Sequence, residues 1–465
     1  MRNLMRILAC GVLLVEMTAV AWTQDIGAKA DAYLTAWANQ GRFSGVVLIA
    51  KGDKILLRKG YGNANYELNV ANTPETVLRI GSITKSFTAL SILQLEEKGL
   101  LNVGDPVAKY VPELPAAWSA ITIHQLLCHK SGIPDFVNAK AYSDLADGLH
   151  VEKALKEYAD KPLLTKPGEV LRYSNSGYIL LGRIIEHVTG ESYGDYLTAN
   201  ILKPAGMTHT AHDLAVDVVP NRASGYRFDG ETVINAPHGD SSYPGSAGDL
   251  RSTVDDMYQF DRALKSGKLF SNALTTKAWT PCGHMVAPPP LPIEADYGYG
   301  WMIGQDFGHK YVGHGGWVNG FVSQFTRYPD DDAVIIVLSN FETVTYVQIS
   351  KDLSAILFGA KYQAPVARKI VHPSQETLAR YVGDYLIGPT TLAITMRDGR
   401  LYAFVKGQPA PYGLIATSDT EFYLNDSPTD VRFIADANGA VNNIALKFGD
   451  TDLAAVRAPA QKPGN

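Results

Sequence analysis

Residues 79–95 read RIGSITKSFTALSILQL, and how Ser82 is read with Lys85 decides what kind of molecule follows. Taken alone the pair is ordinary helix chemistry: serine near a helix N-terminus is a capping residue, and lysine is common on helix surfaces. In a chain of this size Ser-x-x-Lys is expected about once or twice by chance. A spacing of three nevertheless puts two helical side chains on one face, about 5–6 Å apart at Cβ. In the first turn, the serine Oγ and N–H lie at the positive end of the helix dipole. A lysine beside it can relay the serine proton if burial lowers its pKa. Phe87, Leu90, Ile92 and Leu93, with Leu95 and Leu100 beyond, predict a helix buried on much of its surface. Ser82 is the only serine in the chain with lysine three residues later.

The remainder of the chain sets the context. Its 465 residues are 46% hydrophobic and 19% charged, which predicts a globular chain of two or three domains. A net charge of −5 gives no reason to expect nucleic acid or an anionic membrane as partner. The N-terminus is basic (MRNLMR), then apolar (ILACGVLLVEMTAVA), with small residues at Ala19-Val20-Ala21. This reads as a secretory signal peptide over residues 1–24 and predicts an exported, periplasmic or secreted protein. Cys10 comes too early for a lipoprotein signal, and no later apolar run reaches the ~18–20 residues that span a bilayer. Cys128 and Cys282 are too few for a disulfide framework, and whether they pair is open. Cys128, in TIHQLLCHK, reads as a buried small side chain. His209 and His212 are spaced HTAH without a zincin glutamate and read as surface or loop histidines, so no metal and no cofactor is expected.

Periodicity predicts a helix over 28–39, then two β-rich runs in FSGVVLIAKGDKILLRKGYG split by a Gly-Asp turn. A mixed helical region runs from about 101 to 290, and β-rich segments return at 297–303, 310–329 and 333–341. Strands at both ends with helices between predict one sheet whose parts are far apart in sequence. YQAPVARKIVHPSQ is a linker candidate. Beyond it, short alternating strands with Asp-Gly, Asn-Gly and Gly-Asp turns predict a small antiparallel barrel or sandwich.

A serine nucleophile needs partners. Tyr173-Ser174-Asn175 lies in a polar loop just before an apolar helix, where a phenol and a carboxamide can project into a cleft. A phenolate beside a lysine can act as general base, and an asparagine can donate to a substrate carbonyl. The bland alternative is a structural aromatic and a helix cap, and Tyr-x-Asn also occurs at Tyr61 and Tyr423. His314-Gly315-Gly316 falls in a predicted strand before Trp317. Glycines there admit a close backbone or ligand, and strand N–H groups can polarise a carbonyl. The alternative is a β-bulge or tight turn.

In that order, these segments resemble the serine β-lactamase-related family, which includes class C β-lactamases, penicillin-binding D,D-peptidases, D-aminopeptidases and esterases. ITIHQLLCHKSGIPDF, LRYSNSGYILLGRIIEHVTGESY, ILKPAGMTHTAH, GSAGDLRSTVDDM and YGYGWMI match it as well, over roughly 28–360. The tail from about 370 resembles the small lipocalin-like β-domains that follow some members. The resemblance implies an α/β (α+β) fold, an antiparallel sheet flanked by helices plus a helical region, and a second small all-β barrel-like domain. The domains would be 25–362 and 375–465, with 363–374 as linker. It also implies Ser82 as acylated nucleophile, Lys85 as proton-relay partner, Tyr173 as general base and Asn175 as substrate-amide ligand. His314, Gly315 and Gly316 match the strand triad, with the Ser82 and Trp317 backbone N–H groups as oxyanion hole.

One departure is informative. The β-lactamase branch usually has Lys-Thr-Gly or Lys-Ser-Gly where this chain has His-Gly-Gly, and a histidine is largely neutral near pH 7. A peptidase or amidase on D-residue-containing peptides, D,D-carboxypeptidase- or D-aminopeptidase-like, is the expectation, with a small-ester esterase as alternative and β-lactam hydrolysis less favoured. A non-catalytic peptide-binding protein is the reading from another class. The partner expected is a small peptide or ester, with oligomeric state open. The β-domain is either a passive appendage or a lid.

Overall fold

The computed structural model describes residues 25–135, 151–158, 160–214, 216–228, 232–236, 245–286, 294–343, 345–388, 390–405, 412–425, 429–448 and 451–459; the predicted signal segment lies outside them. Two units result, one built from most of the chain up to 364, the other from 365 onward with residues 227–234 and 343–348.

In the first unit, helix α1 (25–39) precedes the hairpin β1 (Gly45–Lys51) and β2 (Lys54–Tyr61). Six further strands come after the helical region: β3 (Gly283–Val286), β4 (Glu294–Tyr297), β5 (Met302–Asp306), β6 (His309–Val318), β7 (Phe321–Tyr328) and β8 (Ala333–Ser339). They form one antiparallel sheet in the order β3-β4-β5-β6-β7-β8-β1-β2. The N-terminal hairpin joins through β1 against β8, Gly45 opposite Ser339 and Lys51 opposite Ala333. Sequence-distant strands therefore meet inside the sheet, with the N-terminal hairpin forming one of its edges.

Alternation assigns the two faces. Val46, Leu48, Ile336 and Leu338 point into the helical layer, whereas Val47, Ile49, Ile335 and Val337 pack on α1 and on Ile349, Leu353 and Ile356 of the helix Thr345–Phe358. With both faces covered, β1 and β8 read as continuous apolar runs, not as alternating ones.

Helix α2 (Thr84–Glu97) runs through the helical layer with every residue from Thr84 to Leu95 buried. A helix buried all round has no polar face, and its hydroxyls are satisfied internally: Ser86 Oγ donates to Gly300 O at 2.7 Å and Ser91 Oγ to Phe87 O at 2.9 Å. The helix stops at Glu97, so Leu100, expected on its buried face, is exposed instead.

Two other expectations are corrected. Cys128 is not merely a packed thiol: it is bonded to Cys282 across 154 residues, with Cα atoms 5.9 Å apart. The bridge joins the end of the short helix α3 (Ile123–Leu127) to the segment entering β3. His212 is no surface histidine; it is largely buried, with Nδ1 2.7 Å from Asp249.

The second unit carries eight strands from Gly383–Ile387 to Thr451–Arg457 that close into an antiparallel barrel. Closure comes from the first strand pairing with the last, Tyr385 opposite Arg457. Tyr385, Ile394, Leu401, Phe422, Phe433 and Ile444 fill the core, and Tyr381 stacks on Phe433 at 4.1 Å.

Candidate active site

Ser82 sits in a 3₁₀ turn, Gly81–Ile83, that runs directly into α2. The turn is pressed against strand β6 so closely that side chains are excluded. A Cβ on Gly316 would lie 2.0 Å from the Ile80 carbonyl oxygen, and one on Gly81, at φ +52°, would lie 2.7 Å from Trp317 N. Ser323 of β7 reaches across to donate to that same Ile80 carbonyl at 2.7 Å. The β5 register ends with Met302 opposite Gly313, so from His314 to Val318 β6 pairs with β7 on one side and meets the Ser82 turn on the other. The Ser82 and Trp317 amides thus flank one seam. Beside it, the half-exposed Trp317 indole donates to Glu342 at 2.9 Å.

Lys85 is fully buried one turn further on. Its Nζ lies 2.9 Å from Ser82 Oγ, 2.8 Å from Asn175 Oδ1 and 2.7 Å from Ala247 O. Burial lowers its pKa to about 7, partly opposed by the negative charge of Asp135. The partners dictate how the amine is used. Asn175 donates through Nδ2 to the Asp135 carboxylate at 3.0 Å, which fixes Oδ1 toward Lys85. Asn175 Oδ1 and Ala247 O can only accept, so two Nζ hydrogens go to them. The remaining direction faces Ser82, where the neutral amine presents its lone pair to the hydroxyl proton.

Asn175 opens helix α4 (Asn175–Thr189), so the preceding loop carries Tyr173. The Tyr173 ring lies 4.8 Å from Lys85 Nζ and 4.3 Å from the His129 ring. His314 is buried, with burial and the nearby Lys85 pulling its pKa down to about 3. Its Nδ1 is 2.6 Å from Gly315 O and its Nε2 3.0 Å from the Tyr297 hydroxyl, so both ring nitrogens are engaged within the protein.

The structure therefore gathers Ser82, Lys85, Tyr173, Asn175 and the His314–Trp317 strand around one point. Sequence reasoning assigned no site role to Asp135 or His129, although both lie in the segment ITIHQLLCHKSGIPDF. A lone carboxylate and a lone imidazole in a loop carry no spacing signal; only their neighbours reveal them. The assembly holds a serine hydroxyl against a buried amine, with two backbone amides beside it, which is the equipment of acyl transfer.

Residues 29–353 match the family described as Beta-lactamase, and residues 367–457 match a domain of unknown function, DUF3471. The chain is 32% identical over 447 residues to penicillin-binding protein 4* of Bacillus subtilis (strain 168), covering 89% of this chain and 95% of that protein. It also resembles the octameric penicillin-binding protein homologue from Pyrococcus abyssi, with TM-score 0.63 and 27% identity over 92% of this chain and 99% of that one. A D-stereospecific amidohydrolase from a Streptomyces species aligns with TM-score 0.57 and 25% identity over 68% of this chain and 94% of that one.

Proposed function

The chain belongs to the beta-lactamase family and is a serine hydrolase, and from that premise we propose that it is an exported peptidase or amidase on D-residue-containing peptides, acting through a Ser82 acyl-enzyme. The observation that carries the reading is the Lys85 amine, buried, with its pKa near 7, 2.9 Å from Ser82 Oγ. Ser82 Oγ bonds to the substrate carbonyl carbon while its proton passes to the Lys85/Tyr173 pair, of which Lys85 touches Ser82. The Ser82 and Trp317 amides receive the developing oxyanion. Collapse breaks the carbonyl–leaving-group bond as the pair returns the proton to the departing nitrogen, and water then repeats the sequence to release the acid. Asn175, with one amide hydrogen held by Asp135, has a second to offer a substrate carbonyl.

His314 bears on substrate choice. A neutral imidazole with both nitrogens occupied, followed by Gly315, offers no cation to a carboxylate at this position of the strand. That favours amides and peptides lacking a carboxylate beside the scissile bond over β-lactams. The D-stereospecific amidohydrolase resemblance supports the D preference. Export is supported by the Cys128–Cys282 bridge, since disulfides persist in oxidising compartments, and by the signal-like composition of residues 1–24. The hydrolase domain is assigned to 25–362 and the barrel domain to 375–465, joined by 363–374. No helix among the described residues is long and apolar enough to cross a membrane.

A fluorophosphonate label and a panel of D- and L-aminoacyl anilides, D-Ala-D-Ala peptides, p-nitrophenyl esters and nitrocefin test the proposal. Expected are labelling of the wild type but not of Ser82→Ala, and kcat/KM at least ~10-fold higher for D- than for L-aminoacyl anilides. Labelling that survives Ser82→Ala rejects the nucleophile. Equal D and L rates, or esters alone being turned over, reject the substrate class.

A further inference from the structure

Behind Tyr173 lies a buried group that the reaction as described leaves unused. His129 follows the disulfide-bonded Cys128 and adopts φ +54°, a left-handed conformation uncommon for a residue with a side chain. That backbone turn aims both its carbonyl and its ring at the Tyr173 loop. Arg172 N–H donates to His129 O at 2.8 Å, and Ser174 N–H donates to His129 Nδ1 at 3.2 Å. The amides on either side of Tyr173 are thus held by one residue, whose ring also supports the Tyr173 ring at 4.3 Å.

The other edge of the imidazole begins a chain. His129 Nε2 is 3.1 Å from the Tyr297 hydroxyl, which is 3.0 Å from His314 Nε2, and His314 Nδ1 is 2.6 Å from Gly315 O. Every direction in this chain is fixed by its ends. Ser174 N–H can only donate, so His129 Nδ1 accepts and, in the neutral ring, Nε2 carries the hydrogen. Gly315 O can only accept, so His314 carries its hydrogen on Nδ1 and accepts at Nε2. Tyr297 accordingly accepts from His129 and donates to His314. Tyr178, whose ring also packs on His129, spends its own hydroxyl hydrogen on Leu127 O at 2.9 Å and offers its oxygen to Tyr297 as a second acceptor. His314 Nε2 has no other donor among the described residues, so the Tyr297 hydrogen goes there.

We propose that His129 is a positioning residue which, through the one-way chain His129–Tyr297–His314–Gly315, locks the Tyr173 loop and the Gly315–Trp317 strand into a single register. The chain needs both imidazoles neutral in opposite tautomers: a proton added to His129 would set a donor against the Ser174 N–H, and one added to His314 would remove the acceptor for the Tyr297 hydrogen and reverse that link. The effect on catalysis rests on the acyl-transfer reading above; the tautomer assignment does not.

Protein labelled with ¹⁵N-histidine and free of substrate gives the direct test, with signals assigned from His129→Asn and His314→Asn. At pH 7 the chain requires His129 as the neutral Nε2–H form and His314 as the neutral Nδ1–H form; either ring charged or in the other tautomer overturns it. Tyr297→Phe deletes one oxygen and breaks the chain at its middle. It is expected to lower kcat by about 10–100-fold with KM within about threefold, the signature of lost transition-state alignment. His129→Gln, whose amide nitrogen can reach Tyr297, should retain more kcat than His129→Ala. A Tyr297→Phe enzyme within twofold of wild-type kcat overturns the coupling. Failure of Ser82→Ala to abolish labelling would instead reject the nucleophile and leave the tautomers to be read on their own.

Discussion

On the proposed mechanism, Lys85 sets the acid limb of this enzyme's pH profile. Its pKa falls from 10.5 to about 7 because burial outweighs the pull of Asp135, so the neutral amine that faces Ser82 accumulates as pH rises through 7. The rate of Ser82 modification by a fluorophosphonate should climb about tenfold per pH unit below that midpoint and level off above about pH 8. Asp135→Asn removes the charge that raises the Lys85 pKa, so the midpoint should move to lower pH; an upward shift would contradict this electrostatic account. Stability follows the same displacement with a definite sign. The folded pKa lies below the unfolded one, so unfolding takes up a proton between about pH 7 and 10.5, and stability rises with pH across that window. Holding Lys85 in place costs about 4 kcal/mol at pH 7 relative to pH above 10.5. In denaturant titrations the stability of wild type relative to Lys85→Met should therefore improve from pH 7 to pH 10; a flat difference would count against the buried amine. Partial burial of Lys85 was legible in its apolar neighbours; that it is complete was not. Asp135 and His129 were not, because a single polar residue in a loop has no period to betray it.

The joint between the Ser82 turn and β6 matters more than either element alone. Both elements could be read from the sequence, the helix from its apolar run and the strand from its β-rich composition. Their contact could not, because glycine in a strand is equally compatible with a bulge or a turn. At Gly316 the reason for glycine is the Ile80 carbonyl, 2.0 Å from where a Cβ would be. Gly316→Ala must push the strand from the turn, separating the Ser82 and Trp317 amides. Activity should drop by at least about 100-fold, the scale of losing an oxyanion donor, with a stability loss of about 1–3 kcal/mol. Ser323→Ala removes only the hydrogen bond to the same carbonyl and should cost about 1 kcal/mol. If the two variants were equally active, the close backbone approach would not be what aligns the site.

Across the whole molecule, the Cys128–Cys282 bridge clips α3, with His129 at its end, to the segment entering β3. Closing a loop of 154 residues restricts the unfolded chain strongly, so Cys128→Ser/Cys282→Ser should lose about 2–5 kcal/mol in denaturant melts. An unchanged midpoint under oxidising conditions would show that the bridge contributes nothing to folding. That pairing did not follow from sequence; the C-terminal barrel was expected from resemblance, while strand patterning by itself left barrel and sandwich open. Alternation says which side of a strand is buried, but not which distant strand or cysteine comes to lie beside it. By itself the sequence determined the fold family, the antiparallel sheet split across the chain, the all-β tail, and Ser82 with Lys85 as the pair to consider first. The strand positions, the all-β tail and the Ser82/Lys85 pair are consequences of local periodicity and short spacing, which need no knowledge of distant neighbours; the fold family and the antiparallel arrangement came from the resemblance of the ordered segments to the serine β-lactamase-related family. The tertiary structure alone decided that Lys85 is buried against Asn175 and Ala247, that Asp135 and His129 stand behind the site, and that His314 turns inward to Tyr297. Each of these depends on residues tens or hundreds of positions apart being packed together, and only packing brings them within hydrogen-bond reach.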